Sequence, residues 1–286
     1  MATMDKYRSR IEEAITVSYM HLVNRFPAVK SLEDRLVQSY INVLTSQRQK
    51  RWQERALPNF IIIGGMKCGT SSLYNYLGQH PQLLSSNYKE IRYFSHDEYF
   101  SRGESWYRTH FRKIKNVPEG SLVFEASPDY LFYPEAAPRM ASLLPDIKLV
   151  ALLRNPTERA LSHYFHDVKK GRCQGEIMAA LTDQHTIYRP KGMYKNQLES
   201  YYQLFPSENI LVLNSEVFFE HPTDTLKRVY EFLGVDAGYE VRDLTPRQVG
   251  YNREPVEAAV YDYLNEYYKP HNEDLFRFIG EEFDWR

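Results

Sequence analysis

One stretch constrains this chain more than any other: Phe60-Ile61-Ile62-Ile63-Gly64-Gly65-Met66-Lys67-Cys68-Gly69-Thr70-Ser71-Ser72-Leu73. An unbroken run of Phe and β-branched side chains suits a strand buried on both faces, as in a parallel sheet. The glycines let the backbone turn sharply and approach a ligand closely. An amphipathic helix from about Thr70 to Gly78 then aims its first N–H groups and its positive dipole end back at the turn. Strand, turn and helix together form an anion site, and a phosphate is the expected guest. Lys67 adds a mobile charge, and Thr70 and Ser71 add hydroxyl donors. A nucleoside-triphosphate loop places its lysine after the last glycine. Here Lys67 precedes Gly69, so the loop is P-loop-like without matching that pattern.

Further strands are predicted at Leu122–Glu125, Lys148–Leu153 and Ile210–Leu213. Helices are predicted over about 134–144, 157–169, 194–205 and 222–233, with two more near 255–267 and 272–280. Strands alternating with helices predict an α/β, P-loop-like three-layer fold, a central parallel sheet flanked by helices. Apolar residues at helix spacing before Pro58 (Ile11, Ala14, Ile15, Tyr19; Leu32, Leu36, Tyr40, Val43) predict a helical extension over 1–56, ahead of a core domain over 57–286. The basic run 47–55 reads as a solvated helix face.

A second anion site is predicted where Leu153 leads into Arg154-Asn155-Pro156-Thr157-Glu158-Arg159. Asn155 can cap the next helix and Pro156 suits its first position. Arg159, Ser162 and His166 are spaced to share one face. Arg159 either faces the ligand or makes a helix salt bridge, while His163 points elsewhere. A cation at this strand end, rather than a carboxylate, attracts a second phosphate and repels a metal ion. Two strand ends holding two phosphates, with no metal, are expected.

Lys67-Cys68-Gly69-Thr70-Ser71-Ser72-Leu73, followed by His80-Pro81, resembles the 5′-phosphosulfate loop of sulfotransferases. The segment from Arg154 to Tyr164 resembles their 3′-phosphate segment. Lys89-Glu90-Ile91-Arg92-Tyr93-Phe94 resembles the segment that carries a catalytic Glu in the branch containing heparan sulfate 3-O-sulfotransferases. Gly192-Met193-Tyr194, Leu198, Tyr202 and Phe205-Pro206 are similar to that branch's next helix. Tyr267, Pro270, Asn272, Leu275 and Trp285 are similar to its C-terminal pattern. The resemblance implies an enzyme that uses 3′-phosphoadenosine 5′-phosphosulfate and releases adenosine 3′,5′-bisphosphate. It implies donor binding by Lys67, Cys68, Gly69, Thr70, Ser71, Ser72, Arg154 and Ser162, charge stabilisation by Lys67, and Glu90 as base. His166, whose ordinary pKa suits neutral pH, is the competing base.

The chain departs from that branch in lacking its late cysteine pair, and no terminal membrane anchor is expected. This points to a bacterial-type relative, or to a domain like those of polyketide synthases that sulfate a β-hydroxyl on a chain held by an acyl carrier protein. The acceptor stays open among sugar, lipid, small phenol and carrier-bound chain. The 23 tyrosines are compatible with all four and equally with interior packing. Glu125, Ser127 and Asp129 end another strand and are expected along the acceptor cleft. The stretch between Lys169 and Gly192 is expected to form a lid over it.

A kinase or other nucleotide phosphotransferase is the alternative. It needs magnesium and a strand-end carboxylate, for which Glu125 would have to serve. A non-catalytic anion-binding module is the third reading. Two cysteines cannot form a disulfide framework, and a net charge of −1 argues against nucleic-acid or membrane partners held by bulk charge. No run nears the roughly 20 apolar residues a spanning helix needs, so a cytoplasmic location is expected. Cys68 reads as a small side chain of the loop, whose thiolate, if formed beside Lys67 and a helix N-terminus, would be reactive.

Overall fold

The computed structural model describes residues 43–247 and 255–285. The chain divides into two units, Met1–Arg51 and Trp52–Arg286. In the first, residues 43–49 are helical; the rest of the predicted extension over 1–42 lies outside the described residues.

The second unit is built on a five-stranded sheet in the order β2-β3-β1-β4-β5. The strands are β1 (Phe60–Gly64), β2 (Leu83–Ser85), β3 (Leu122–Ala126), β4 (Lys148–Leu153) and β5 (Ile210–Asn214), and every pairing is parallel. All five residues of β1 are buried, as its unalternating apolar run requires. β2 was not expected from the sequence. It is three residues long and half-buried on a sheet edge, too short to show a period.

Among the described residues, six helices have eight or more residues: α1 (Thr70–Leu77), α2 (Ala136–Leu143), α3 (Pro156–Lys169), α4 (Tyr194–Leu204), α5 (Pro222–Leu233) and α6 (Ala258–Ile279). From β1 the chain moves toward β2 through α1; from β3 it crosses to β4 through α2, and then continues to β5. Right-handed crossovers in opposite directions put α1 on one face and α2, α3 and α4 on the other. The ring of His80, just past α1, packs against Tyr230 of α5 at 4.6 Å, so α5 joins α1's layer. On the other face the Tyr201 hydroxyl of α4 donates to the Tyr130 carbonyl at 2.7 Å. The strand order reverses direction between β1 and β4, and a ligand crevice is expected at the carboxyl ends there.

The two helices predicted at the end of the chain are one. α6 runs 22 residues with Pro270 inside it. Val260, Leu264, Tyr268 and Leu275 form a buried stripe at helix spacing, and their packing outweighs the hydrogen bond that proline removes.

Because Pro270 is exposed within a continuous helix, Pro270→Ala should raise stability by roughly 1–3 kcal/mol in urea unfolding. An unchanged midpoint would mean that the chain breaks there instead.

Candidate active site at the carboxyl edge of the sheet

β1 ends against β4: the Gly65 N–H donates to the Leu152 carbonyl at 2.7 Å. The loop then rises through Lys67, at φ 70°, to Gly69, at φ 94°, which caps α1. A Cβ at Gly69 would lie 2.7 Å from the tip of the exposed Phe219 ring, and the positive φ is what this position needs glycine for. From the end of β4, Arg154 Nη1 reaches the Lys67 carbonyl at 3.4 Å, and Nη2 pairs with Glu158 at 3.1 Å. Asn155 caps α3 by accepting from the Thr157 and Glu158 N–H groups, as predicted from the sequence. The two turns predicted to bind anions therefore lie side by side.

Thr70 and Ser71 sit in the buried first turn of α1. Ser162 and His166 are half-buried, one turn apart on α3. Burial, and then the nearby Lys67 charge, hold His166 below the usual imidazole range, so it is neutral at pH 7. His163 is buried beside Asp167, and burial followed by Arg159 lowers it to about 2.

Three further side chains of the two turns are engaged by the protein itself. Cys68 is fully enclosed, its sulfur 3.6 Å from the Tyr194 hydroxyl, and burial pushes the thiol up, which disfavours a thiolate. The Ser72 hydroxyl accepts from the Arg247 N–H at 2.9 Å and so ties the 236–247 segment to α1. Arg159 is fully buried and donates to the Tyr188 carbonyl, so it shares no open face with Ser162 and His166.

Glu90 lies half-exposed at φ 66°, its backbone N–H bound to the Ala126 carbonyl at 2.8 Å. Its carboxylate holds Lys89 Nζ at 3.1 Å and Arg92 Nη2 at 2.6 Å. Burial works to raise its pKa, but the two cations outweigh this and hold it below the ordinary carboxylate range. Arg92, at φ 58°, also faces Asp129, its Nε 3.6 Å from Oδ2. Asp129 is held in turn by Lys191 Nζ at 2.9 Å, and that amine lies 3.4 Å from the sulfur of Met66 in the loop. Lys67, Glu90 and Arg92 are the three non-glycine residues with positive φ among those described, and all three line this edge.

Glu125 does not line a cleft. It is fully buried and accepts from Tyr107 at 2.7 Å, Ser127 at 2.8 Å and Tyr130 at 2.9 Å. Ser127 is buried with it, and of the predicted trio Asp129 is the one that forms ion pairs in the charged cluster. The carboxylate that the kinase alternative requires is thus enclosed and occupied. Among the described residues no group of three or more His, Cys, Asp or Glu is arranged to hold a metal ion, and no helix is long and apolar enough to cross a membrane.

The predicted lid is docked. Leu181 and Tyr188 pack with Ala160, Leu161, Tyr164, Val260, Leu264 and Tyr268 in a second apolar cluster. Arg189 donates to the Tyr263 hydroxyl at 2.8 Å and anchors the segment to α6.

A family profile described as "Sulfotransferase domain" matches residues 57–254. A sulfotransferase from Alicyclobacillus acidocaldarius is 32% identical, with a TM-score of 0.71 over 81% of this chain and 99% of that one. The human heparan sulfate glucosamine 3-O-sulfotransferase 6 is 26% identical over 81% of this chain and 74% of its own length. The membrane-associated sulfotransferase kil1 of Dictyostelium discoideum is 24% identical over 80% of this chain and 67% of its length. The human bifunctional heparan sulfate N-deacetylase/N-sulfotransferase 3 is 24% identical over 86% of this chain, which spans only 34% of that protein.

Burial raises Glu125 to about 7, against the pull of its three hydroxyl donors. A carboxyl raised on folding stabilises the fold below its ordinary pKa, and that stability is lost as pH rises through the folded value. Glu125→Gln, uncharged throughout, should therefore gain on the native protein by on the order of 3 kcal/mol between pH 4.5 and 8 in urea unfolding. Parallel pH profiles would show that Glu125 titrates normally.

Proposed function

The chain belongs to the sulfotransferase domain family, and we propose that it moves a sulfuryl group from 3′-phosphoadenosine 5′-phosphosulfate to an acceptor hydroxyl. One observation carries the choice of donor. Lys67 and Arg154 meet at adjacent strand ends, Arg154 Nη1 lying 3.4 Å from the Lys67 carbonyl. A guest with anionic groups at both ends of one ribose matches two neighbouring cationic turns. The residues fit it chemically: a lysine, an arginine, the hydroxyls of Thr70, Ser71 and Ser162, and a helix N-terminus.

The bound donor supplies an electrophilic sulfur and a phosphate leaving group. In-line attack forms the acceptor O–S bond, breaks the bond from sulfur to the bridging phosphate oxygen, and leaves adenosine 3′,5′-bisphosphate. Lys67 stabilises charge on the leaving phosphate. Glu90 takes the acceptor proton. Its two cation partners keep it ionised, which secures the proton-free form but weakens it as a base. His166, neutral and beside Lys67, remains the competing base.

The acceptor that the relatives favour is a carbohydrate, since those that cover the chain best include enzymes named for heparan sulfate. A hydroxyl on an acyl-carrier-bound chain is the second class to test.

Calorimetry should show adenosine 3′,5′-bisphosphate binding without magnesium and more tightly than ATP with it. Arg154→Ala should weaken that binding at least tenfold while changing affinity for adenosine 5′-monophosphate less than threefold. Labelled donor, screened against saccharides and a β-hydroxyacyl carrier protein, should yield a sulfated product. Glu90→Gln should cut turnover at least a hundredfold with donor affinity retained. Near-normal turnover, with a large loss in His166→Ala, would move the base to His166.

A further inference from the structure

We propose that Arg92 is a positioning residue that clamps Glu90 at rest and hands over to Asp129 when the acceptor hydroxyl arrives, an inference that rests on Glu90 being the base. Arg92 spans two carboxylates, with Nη2 2.6 Å from Glu90 Oε2 and Nε 3.6 Å from Asp129 Oδ2. The first is a formed hydrogen bond and the second is a contact waiting to close. Nε is enclosed by protein and donates to nothing, an arrangement that folded proteins rarely leave standing. The acceptor it lacks is the nearby Asp129 oxygen. Lys191 holds the other Asp129 oxygen at 2.9 Å and fixes the carboxylate facing Arg92.

The backbone around this contact is pinned. The Arg92 N–H donates to Ser127 Oγ at 3.1 Å, and that hydroxyl donates to Glu125 at 2.8 Å. The Glu90 N–H is held by Ala126. The handover is therefore a side-chain rotation of about an ångström at the contact. Of the two cations on Glu90, Arg92 is the one able to move, because its side chain is 40% exposed and that of Lys89 is 16% exposed.

The consequence is chemical. A carboxylate holding two cations has little drive to accept a proton, and losing one restores it. The proton leaves the acceptor oxygen as the O–S bond forms and ends on Glu90, while Arg92 stays charged throughout and changes only its partner. The charged and titratable groups around this exchange are Lys89 and Arg92 on Glu90's own segment. Glu125 and Asp129 face it from β3 and the turn after it, and Lys191 from the segment before α4. His96 lies near Asp129, and Tyr99 and Tyr133 near Arg92. Among the cations, Arg92 contacts both carboxylates.

The test uses the full chain with adenosine 3′,5′-bisphosphate and, for turnover, the acceptor found by the screen. Carboxyl NMR titration, with Glu90 assigned by its absence in Glu90→Gln, needs no turnover. Arg92→Met should raise the Glu90 midpoint by about one pH unit. The acid limb of kcat/KM should move with it. Asp129→Asn should lower kcat at least tenfold, with acceptor KM and bisphosphate Kd within twofold, because Arg92 then stays on Glu90. In the Arg92→Met background the same Asp129→Asn change should cost less than twofold more. Effects that simply multiply would overturn the handover, as would an unmoved Glu90 midpoint in Arg92→Met. If Asp129→Asn fails to fold, Arg92→Lys, too short to reach both carboxylates, should still move the acid limb in the same direction; an unmoved limb would overturn the proposal. A Glu90→Gln enzyme with normal turnover sinks the base assignment itself, an outcome separate from failure of the handover.

Discussion

The cross-link between the ends of β1 and β4 underlies the rest of the site. A backbone N–H of the first loop is bound at 2.7 Å to a carbonyl of β4, and the arginine that ends β4 reaches back to a carbonyl of that loop. Tyr194 reinforces the junction, its hydroxyl donating to the Arg154 carbonyl at 2.9 Å. Ser215 does the same from the β5 side by donating to the Cys68 carbonyl at 2.8 Å. Two cations would otherwise repel one another and splay the loops apart. Here the Lys67 carbonyl absorbs part of the Arg154 charge, and the backbone bonds make the pairing of the two turns a preset arrangement. Binding energy need not be spent on assembling it.

The chain could be read this far because the loop is local. Strand, glycine turn, Lys67 and helix start are contiguous, and each carries its own periodicity or backbone signature. Arg154 with its Asn155 cap is legible for the same reason. What the sequence hides is pairing between distant segments. Lys191 is one lysine in a mixed stretch, and nothing local says that it is buried on Asp129. Ser72 reads as one more loop hydroxyl until Arg247 is seen bound to it. Glu125 looks like a cleft residue because it closes a strand, but three hydroxyls from Tyr107, Ser127 and Tyr130 enclose it. β2 is too short to show a pattern, and Pro270 suggests a break that tertiary packing overrides.

The acidic and basic side chains beside Glu90 obey a strict accounting. A charge removed from water is costly unless it is paired and its hydrogen bonds are made. Lys191, 5% exposed, is tolerated because Asp129 faces it, and Asp129 stays ionised because Lys191 and Arg92 outweigh the effect of its burial. Lys89 is held down by burial and rescued by Glu90. Arg92 is shared between the two acids, so moving its side chain changes the charge felt by both. Such coupling arises in an alternating row and is absent from isolated surface pairs, which are screened and worth little.

Left-handed backbone at Lys67, Glu90 and Arg92 follows the same logic. A side chain with positive φ costs of order 1–3 kcal/mol in a sparsely populated region, and glycine would avoid that cost. Glycine would also remove the ammonium, the carboxylate and the guanidinium. Lys67 lies three residues past the end of β1, and Glu90 and Arg92 five and seven residues past β2, where an extended backbone would carry each side chain elsewhere. The left-handed turn redirects it. The sheet can bear this because its central strands are buried along their length and hold the strand ends rigidly. The strain is thus confined to positions where a charged side chain must point in a direction that ordinary backbone conformations do not provide.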